Sequence, residues 1–206
     1  MKTTFIWLTA SIILAQVFPV LAASAQQPQT FLQWCSQKKS VSADTKRTID
    51  ILLYEAGTKD CKRADRNLRN LTELDLSINQ LVDIRPLAGL TNLTELRLDS
   101  NHIVDIKPLA GLTNLTILYL HTNKIVDLKP LIGLTKLTAL YLYSNKVVDV
   151  EPLAQLTNLT ILGLRSNEIV DVKPLTGLTK LTFLYLNSNP IPIKTCPVQP
   201  ESICLF

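Results

Sequence analysis

Residues 115–136 have the sequence LTILYLHTNKIVDLKPLIGLTK, and this stretch decides the fold because it recurs along the chain. Its first nine residues follow the pattern L-x-x-L-x-L-x-x-N, which begins again every 22 residues. A fixed period of this length is typical of a solenoid, in which each repeat is one unit stacked on the next. Counting position one as the first leucine, the six motifs start at Leu71, Leu93, Leu115, Leu137, Leu159 and Leu181.

Seven positions of each repeat are aliphatic, but one repeat cannot fold alone, and the repeats fold only when they stack on one another. The apolar side chains of one repeat cannot offset the conformational entropy lost on ordering its 22 residues. Neighbouring repeats share a core and the hydrogen bonds of a sheet, so several repeats fold together. In the first repeat the seven residues are Leu71, Leu74, Leu76, Leu81, Ile84, Leu87 and Leu90.

Two polar columns accompany the leucines. Position nine is always asparagine, whose amide donates and accepts hydrogen bonds, so we expect these amides to ladder along the coil and to satisfy backbone groups at the turn. Position 13 is aspartate in five copies; we expect it to cap a turn by accepting a backbone N–H, with a cation-binding ladder as the alternative. The columns are Asn79, Asn101, Asn123, Asn145, Asn167 and Asn189, and Asp83, Asp105, Asp127, Asp149 and Asp171.

The motif resembles the bacterial leucine-rich repeats of the internalin type, a 22-residue class, over roughly residues 68–190. The resemblance implies an α/β solenoid, a right-handed leucine-rich-repeat superhelix with a parallel concave β-sheet, 3₁₀-like convex turns and a helical N-terminal cap. Each repeat would form one coil with a short strand at L-x-L. Internalin-type relatives bind host surface receptors, but they usually carry more repeats and a wall anchor. Six motifs without an evident anchor put a host-invasion role in doubt.

The first 25 residues predict a signal peptide at residues 1–25. A largely apolar stretch from Phe5 to Leu21 follows Lys2 and leads to the small-x-small cleavage pattern Ala23-Ser24-Ala25. An uncleaved membrane anchor is the alternative interpretation. We therefore expect an exported protein, extracellular or periplasmic, with no stable membrane insertion after removal of the signal.

The repeats, at residues 69–190, should lie between a helical cap at residues 26–68 and a C-terminal cap at residues 191–206. Helical spacing of apolar residues predicts a helix between Ser42 and Ala56 that Gly57 ends. Leu68 is in register with Leu90, which predicts a half-formed first coil. Export favours disulfides, and the stiff array of repeats separates two pairs of cysteines. The expected bonds are Cys35–Cys61 and Cys196–Cys204.

Nothing in the sequence has the pattern of a catalytic, metal or cofactor site, so we expect a protein that is not an enzyme. Glu73 and Glu95, on adjacent strands, are a weak alternative as an acid–base pair. The formal net charge of +4 comes without a dense run of Lys and Arg, which argues against a nucleic-acid partner.

Variation within the chain is concentrated at positions three, five and seven, which should face the concave side and are here called the strand face. The first two repeats are charged at these positions, and the last four are aromatic with a polar fringe. Tyr and Arg are residue types that dominate binding hot spots. The predicted partner-binding residues are Arg97, Tyr119, His121, Tyr141, Tyr143, Gly163, Arg165, Phe183, Tyr185 and Asn187.

We expect the partner to be a protein or a glycan, bound by a monomer. Six strands span only about 24 Å, so the patch should be at or below the ~800 Å² per partner of a standard interface. The aromatic residues are also explained by cross-strand packing alone, and the gap at Gly163 either admits a partner side chain or is covered by neighbouring rings. Other functions are inhibition of an extracellular or periplasmic enzyme, or a structural envelope role without a specific ligand.

Overall fold

The computed structural model describes residues 30–206, so the predicted signal peptide lies outside the described residues. The described chain is an α/β solenoid in which helices precede one sheet of parallel strands, in the order β1 to β7. No helix in this part of the chain is long and apolar enough to cross a membrane. The helices are α1 (Phe31–Ser36), α2 (Ala43–Glu55) and α3 (Cys61–Arg69). The strands are β1 (Glu73–Asp75), β2 (Glu95–Arg97), β3 (Ile117–Tyr119), β4 (Ala139–Tyr141), β5 (Ile161–Gly163), β6 (Phe183–Tyr185) and β7 (Cys204–Leu205).

Strands β1 to β6 each span positions three to five of one motif, so each begins one residue before the predicted L-x-L segment. Their register follows from the period of 22 residues. Leu118 on β3 pairs with Leu140 on β4, so position four meets position four of the next repeat. These leucines point into the core, where both are fully buried. A short 3₁₀ helix follows each strand, such as Lys129–Leu131 after β3, and returns the chain towards the next strand.

The asparagine column holds neighbouring coils together through backbone groups. Asn145 Nδ2 donates to the carbonyls of Leu142, in its own coil, at 2.9 Å and of Leu120, in the preceding coil, at 3.0 Å. Its Oδ1 accepts the N–H of Ile125 at 3.0 Å. The prediction that the amides satisfy backbone groups is confirmed. The amide-to-amide ladder is wrong, because the amides from Asn101 to Asn189 bond to the main chains of two coils, and the Asn79 amide donates to Ser77 in its own coil.

The residue before each asparagine has a left-handed backbone conformation, which residues other than glycine rarely adopt. Ser144, for example, has φ 58°, and the same conformation recurs at position eight of the other repeats. This conformation, three residues after the end of β4, turns the following asparagine into the core, where Asn145 is only 9% exposed. Its buried hydrogen bonds offset the backbone strain.

The aspartate column caps the turns as predicted. In each of the five copies Oδ1 accepts the backbone N–H two residues later, at 2.9–3.0 Å; the donors are Arg85, Lys107, Lys129, Glu151 and Lys173. Among residues 30–206 no group of three or more His, Cys, Asp or Glu side chains is placed to hold a metal ion. The geometry therefore supports capping and gives no support to a cation ladder.

The N-terminal cap contains the predicted helix, with Ser42 as its N-cap and Gly57, at φ 63°, just beyond its end. The Cys35–Cys61 disulfide joins α1 to the start of α3. The predicted register of Leu68 with Leu90 is borne out: Leu68 is fully buried, and its carbonyl accepts the N–H of Leu71 at 3.2 Å, as the carbonyl of Leu90 accepts that of Leu93. Leu68 lies at the end of α3, a helix that sequence spacing did not indicate. Helix α3 has only two buried apolar residues, Ala64 and Leu68, so its periodicity is weak.

At the other end the tail does more than cover the last coil. It adds β7, which pairs in parallel with β6, so the sheet has seven strands where six motifs predicted six. The Cys196–Cys204 disulfide ties this strand to the preceding segment, and Cys196 and Val198 join the core. The last aromatic strand, β6, is consequently no longer an edge.

We predict that Asn145→Ala lowers the free energy of unfolding by about 2–4 kcal/mol, because it leaves the buried Ile125 N–H without a partner. Urea unfolding of both proteins measures this difference. The control is Asn158→Ala, since the exposed Asn158 amide donates to Thr135 at 2.9 Å at the solvent boundary and should cost under ~1 kcal/mol. Equal losses in the two variants would show that the buried amides do not hold the coils together.

A second prediction concerns the first aspartate of the column, which also joins the cap to the repeats. Asp83 pairs with Arg85 at 2.7 Å and accepts from Thr45 of α2, and Arg85 lies 4.9 Å over the Trp34 ring. Asp83→Ala should therefore cost about 2–3 kcal/mol, against about 1 kcal/mol for Asp127→Ala, which removes only a turn cap. Thermal unfolding of the two variants measures this difference. An equal loss of stability in Asp127→Ala and Asp83→Ala would contradict the prediction.

The contribution of Asp83 to the free energy of unfolding should depend on pH. Burial raises the pKa of Asp83, but hydrogen bonds from Arg85 and Thr45 and the charge of Arg85 outweigh burial and hold the pKa below its usual value. The folded state thus binds a proton less readily than the unfolded state, whose pKa is about 3.9. The Asp83 contribution should be complete above about pH 4 and disappear as pH falls through the lowered pKa. A constant difference between wild type and Asp83→Ala down to pH 2 would contradict it.

Candidate binding site on the strand face

The fold places the predicted binding residues in parallel rows across the sheet. Within a strand the middle leucine is buried and its neighbours, at positions three and five, point to the opposite side. Strand register aligns position five with position five of the next repeat, so Arg97, Tyr119 and Tyr141 form one row. That row continues through Gly163 to Tyr185. Position seven lies two residues after the end of each of the strands β1 to β6 and forms a second row.

Side chains in both rows are stacked on their neighbours. The Arg97 guanidinium lies 4.7 Å over the Tyr119 ring, and Tyr119 stacks on Tyr141 with ring centres 4.8 Å apart. In the second row His121 stacks on Tyr143 at 4.2 Å. Tyr141 and Tyr143 meet edge to face at 6.3 Å, which joins the two rows. Aromatic contacts of this kind stabilise by about 0.5–1.5 kcal/mol each, so the rings hold one another in place.

An ion-pair network occupies the N-terminal half of the strand face. Arg97 Nε lies 3.6 Å from Asp75 Oδ2 and 3.7 Å from Asp99 Oδ1, while Asp99 Oδ2 lies 3.6 Å from His121 Nε2. Asp99 is only 5% exposed, and its Oδ1 and the Arg97 Nε are buried without a hydrogen bond. Arg97 thus attracts Asp75 and Asp99 at distances too long for hydrogen bonds, and Arg97 Nε and Asp99 Oδ1 have unused donor and acceptor capacity.

Burial lowers the pKa of His121; the charge of Asp99 opposes this shift and the charge of Arg97 adds to it. His121 is therefore predominantly neutral near pH 7, where it contributes a flat ring more than a cation. Burial raises the pKa values of Tyr141 and Tyr143, so both phenols stay protonated and able to donate a hydrogen bond.

The Gly163 position is filled by the neighbouring tyrosines. A Cβ built on Gly163 would come within 3.2 Å of Tyr143 Cδ1 and 3.5 Å of Tyr141 Cδ1, and the glycine is buried. Of the two interpretations made from the sequence, these contacts support rings that fold over the glycine. The interpretation of an open slot for a partner side chain is wrong, because the rings occupy that space.

The remaining predicted residues lie at the C-terminal end of the strand face. Phe183 and Tyr185 stack at 6.2 Å, and Phe183 is 49% exposed. Arg165 is exposed, whereas Asn187 is half-buried with an Oδ1 that makes no hydrogen bond. Phe183 and Tyr185 form a second aromatic group, separated from the Tyr141–Tyr143 pair by Gly163.

Asp75 and Asp99 belong to the charged first two repeats but are not among the binding residues predicted from the sequence. The structure brings both to Arg97, which the sequence did predict. The available signal was the opposite charge of Asp75 and Arg97, which strand register makes neighbours, and of Arg97 and Asp99, which lie two residues apart on the same face. That signal did not indicate that Asp99 is buried.

Comparison with known proteins agrees with this geometry. The family model for leucine-rich repeats in two copies matches residues 69–111, 91–133, 113–155 and 157–196, more than half of the chain. No curated protein sequence matched the chain. The chain is similar to an internalin (inlF) of Listeria monocytogenes, 40% identical over 62% of this chain and 38% of that one, with a TM-score of 0.59.

Internalin C2 (inlC2) of Listeria monocytogenes is 29% identical, with a TM-score of 0.57, over 78% of this chain and 91% of that one. A plant peptide hormone receptor, solved in complex with RGF2, is 30% identical over 62% of this chain and 22% of the receptor, with a TM-score of 0.54. The chain therefore spans much less than two thirds of inlF and of the receptor. Its repeats, sheet and solved neighbours together show that the chain belongs to the leucine-rich-repeat family and is internalin-like.

Proposed function

We propose that this chain is an exported protein that binds a protein or glycan partner through its concave strand face, as a monomer and without catalysis. The observation that carries the proposal is the pair of stacked rows, Arg97–Tyr119–Tyr141 and His121–Tyr143, whose members are half-buried and half accessible. Export is supported by the small-x-small pattern at residues 23–25 and by two disulfides, which persist in oxidising compartments.

Stacking explains why this surface suits binding. Immobilising a side chain at an interface costs about 0.5–1.5 kcal/mol, and tyrosine is favoured in binding sites because it offers a large contact area with few rotatable bonds. On this chain the rings are already held by their neighbours, so a partner would order little further. Phenol groups and the Arg97 guanidinium at the surface add hydrogen-bond donors that fix a partner's orientation.

Cross-strand packing alone accounts for the stacked rings, but it does not explain why sequence differences between the repeats are concentrated on the strand face. Position six is leucine in every motif, as a purely structural position requires, whereas positions five and seven change from repeat to repeat. Loss of exposed rings from a face that only stabilised the sheet would affect folding alone. The known relatives are consistent with a binding role, and the plant receptor was solved with its RGF2 ligand.

We predict that Tyr141→Ala with Tyr143→Ala abolishes partner capture. The mature protein is immobilised, exposed to envelope extract and culture medium of its source organism, and the captured molecules are quantified by mass spectrometry and glycan analysis. Loss of the aromatic contacts should also lower stability by about 1–3 kcal/mol, so capture is measured well below the melting temperature of the variant, with its fold checked by circular dichroism.

The matched control is Tyr54→Ala, which removes a tyrosine that is 82% exposed on α2, away from the strand face. Capture should survive in this control. A partner retained in full by the folded double variant would overturn the proposed site, and one lost equally in the control would indicate nonspecific adhesion to exposed rings.

A further inference from the structure

The strand face is electrically divided in a way that the aromatic rows do not explain. Although the chain carries a formal net charge of +4, the first two repeats present four carboxylates and a single guanidinium, Arg97, at positions three, five and seven. The carboxylates belong to Glu73, Asp75, Glu95 and Asp99. Negative charge is thus concentrated on one end of one face of a basic molecule.

Glu73 and Glu95 are aligned on adjacent strands without compensation. They are direct partners in the register of β1 and β2. Within residues 30–206, neither side chain makes a hydrogen bond or an ion pair. Like charges placed directly opposite each other on neighbouring strands destabilise a sheet, so the fold does not benefit from this arrangement.

Arg97 does not neutralise this pair, because its other contacts hold it elsewhere. It lies between Asp75 and Asp99 at 3.6 and 3.7 Å and stacks on Tyr119. Its Nε and Asp99 Oδ1 are buried without a hydrogen bond, so even this network is incompletely satisfied. The exposed Glu73 and Asp75 and the half-buried Glu95 remain as acceptors towards solvent.

The acidic end adjoins the aromatic rows directly. Asp75 pairs in register with Arg97, which begins the row leading to Tyr119 and Tyr141. With strands about 4.8 Å apart, β4 lies about 10–14 Å from β2 and β1. An extended segment of about three to four residues covers that distance.

We propose that the partner is a protein whose contact segment carries Lys or Arg over β1 and β2 and, three to four residues away, apolar or aromatic side chains over β3 and β4. The inference rests on the proposed function and narrows it from a protein or glycan to a basic protein segment. Charge complementarity supports this choice. A neutral glycan would stack on the tyrosines and leave the aligned carboxylates unpaired, whereas guanidinium groups would satisfy them with charge-assisted hydrogen bonds.

A random peptide library displayed on phage tests the proposal when it is panned on the immobilised mature protein and, in parallel, on the Tyr141→Ala, Tyr143→Ala double variant. Peptides that depend on the tyrosines should be enriched in Lys or Arg three to four residues from an aromatic or aliphatic residue. A neutral-glycan array is probed with the same two proteins.

The enriched peptide is then synthesised and its affinity measured for two charge variants. Glu73→Gln with Glu95→Gln should weaken binding about three- to tenfold at low salt, and the difference should shrink near 1 M salt, where screening acts within about 3 Å. The matched control is Glu151→Gln with Glu168→Gln, which removes the same charge from exposed turns and should leave affinity unchanged.

Each other outcome overturns the proposal, and the outcomes separate it from the proposed function. Three outcomes would keep the strand face as the binding site but overturn the basic segment. They are tyrosine-dependent peptides that are acidic or uncharged, an equal loss of affinity in the two charge variants, and tyrosine-dependent binding to glycans alone. Absence of any tyrosine-dependent ligand in the peptide library and the glycan array would overturn both.

Discussion

A buried asparagine amide that bonds to the backbone of two successive coils is the interaction on which this structure depends. In every motif a left-handed residue follows the strand and precedes the asparagine, and in the four central motifs that asparagine is buried. The amide of Asn123 illustrates the result, with bonds to Leu120 in its own coil and Leu98 in the preceding one. Because both coils are fixed by the same group, the repeats cannot slide past one another.

That constraint creates the surface. When coils are locked in register, every position of the 22-residue repeat becomes a straight row across the sheet, and residues far apart in sequence become stacking neighbours. Tyr119 and Tyr141 meet for this reason alone. The core residues repeat because each coil has the same packing problem, and the strand face is free to vary because no core contact depends on it. A rigid scaffold thus carries a row of side chains whose identity is set repeat by repeat.

The periodic features were predictable from sequence, because each follows from a local rule repeated along the chain. The strand around L-x-L and the turn cap at Asp127 are of this kind. The helix that Gly57 ends occurs once, but it has its own helical spacing and stop residue. Two other features that occur once, α3 and β7, were missed. Helix α3 has too few apolar residues for a periodic signal, and β7 is a two-residue strand positioned by the Cys196–Cys204 bond and by the coil that it closes.

Within the candidate site, the rows of side chains could be predicted from the sequence, but the burial of individual side chains could not. It placed Arg97, His121 and the tyrosines on one face, since alternation along a short strand decides which side a residue takes. It could not show that Asp99 is buried beside Arg97, nor that Tyr143 closes over Gly163, because both depend on rotamers chosen after the coils have stacked. Tyr141 and Tyr143 therefore cover the Gly163 position, and the acidic residues of the first two repeats lie on the same face.

The most direct measurement of partner contact is site-specific photo-crosslinking in the cells or medium where the protein acts. The photoreactive residue p-benzoylphenylalanine replaces Phe183, which is 49% exposed on the strand face, or Tyr54, which is 82% exposed on the cap. Both replacements exchange one exposed aromatic ring for another, so neither should disturb the fold. If the strand face binds the partner, illumination yields a discrete adduct from position 183 and none from position 54. An adduct from position 54 alone, or from neither position, would contradict the account.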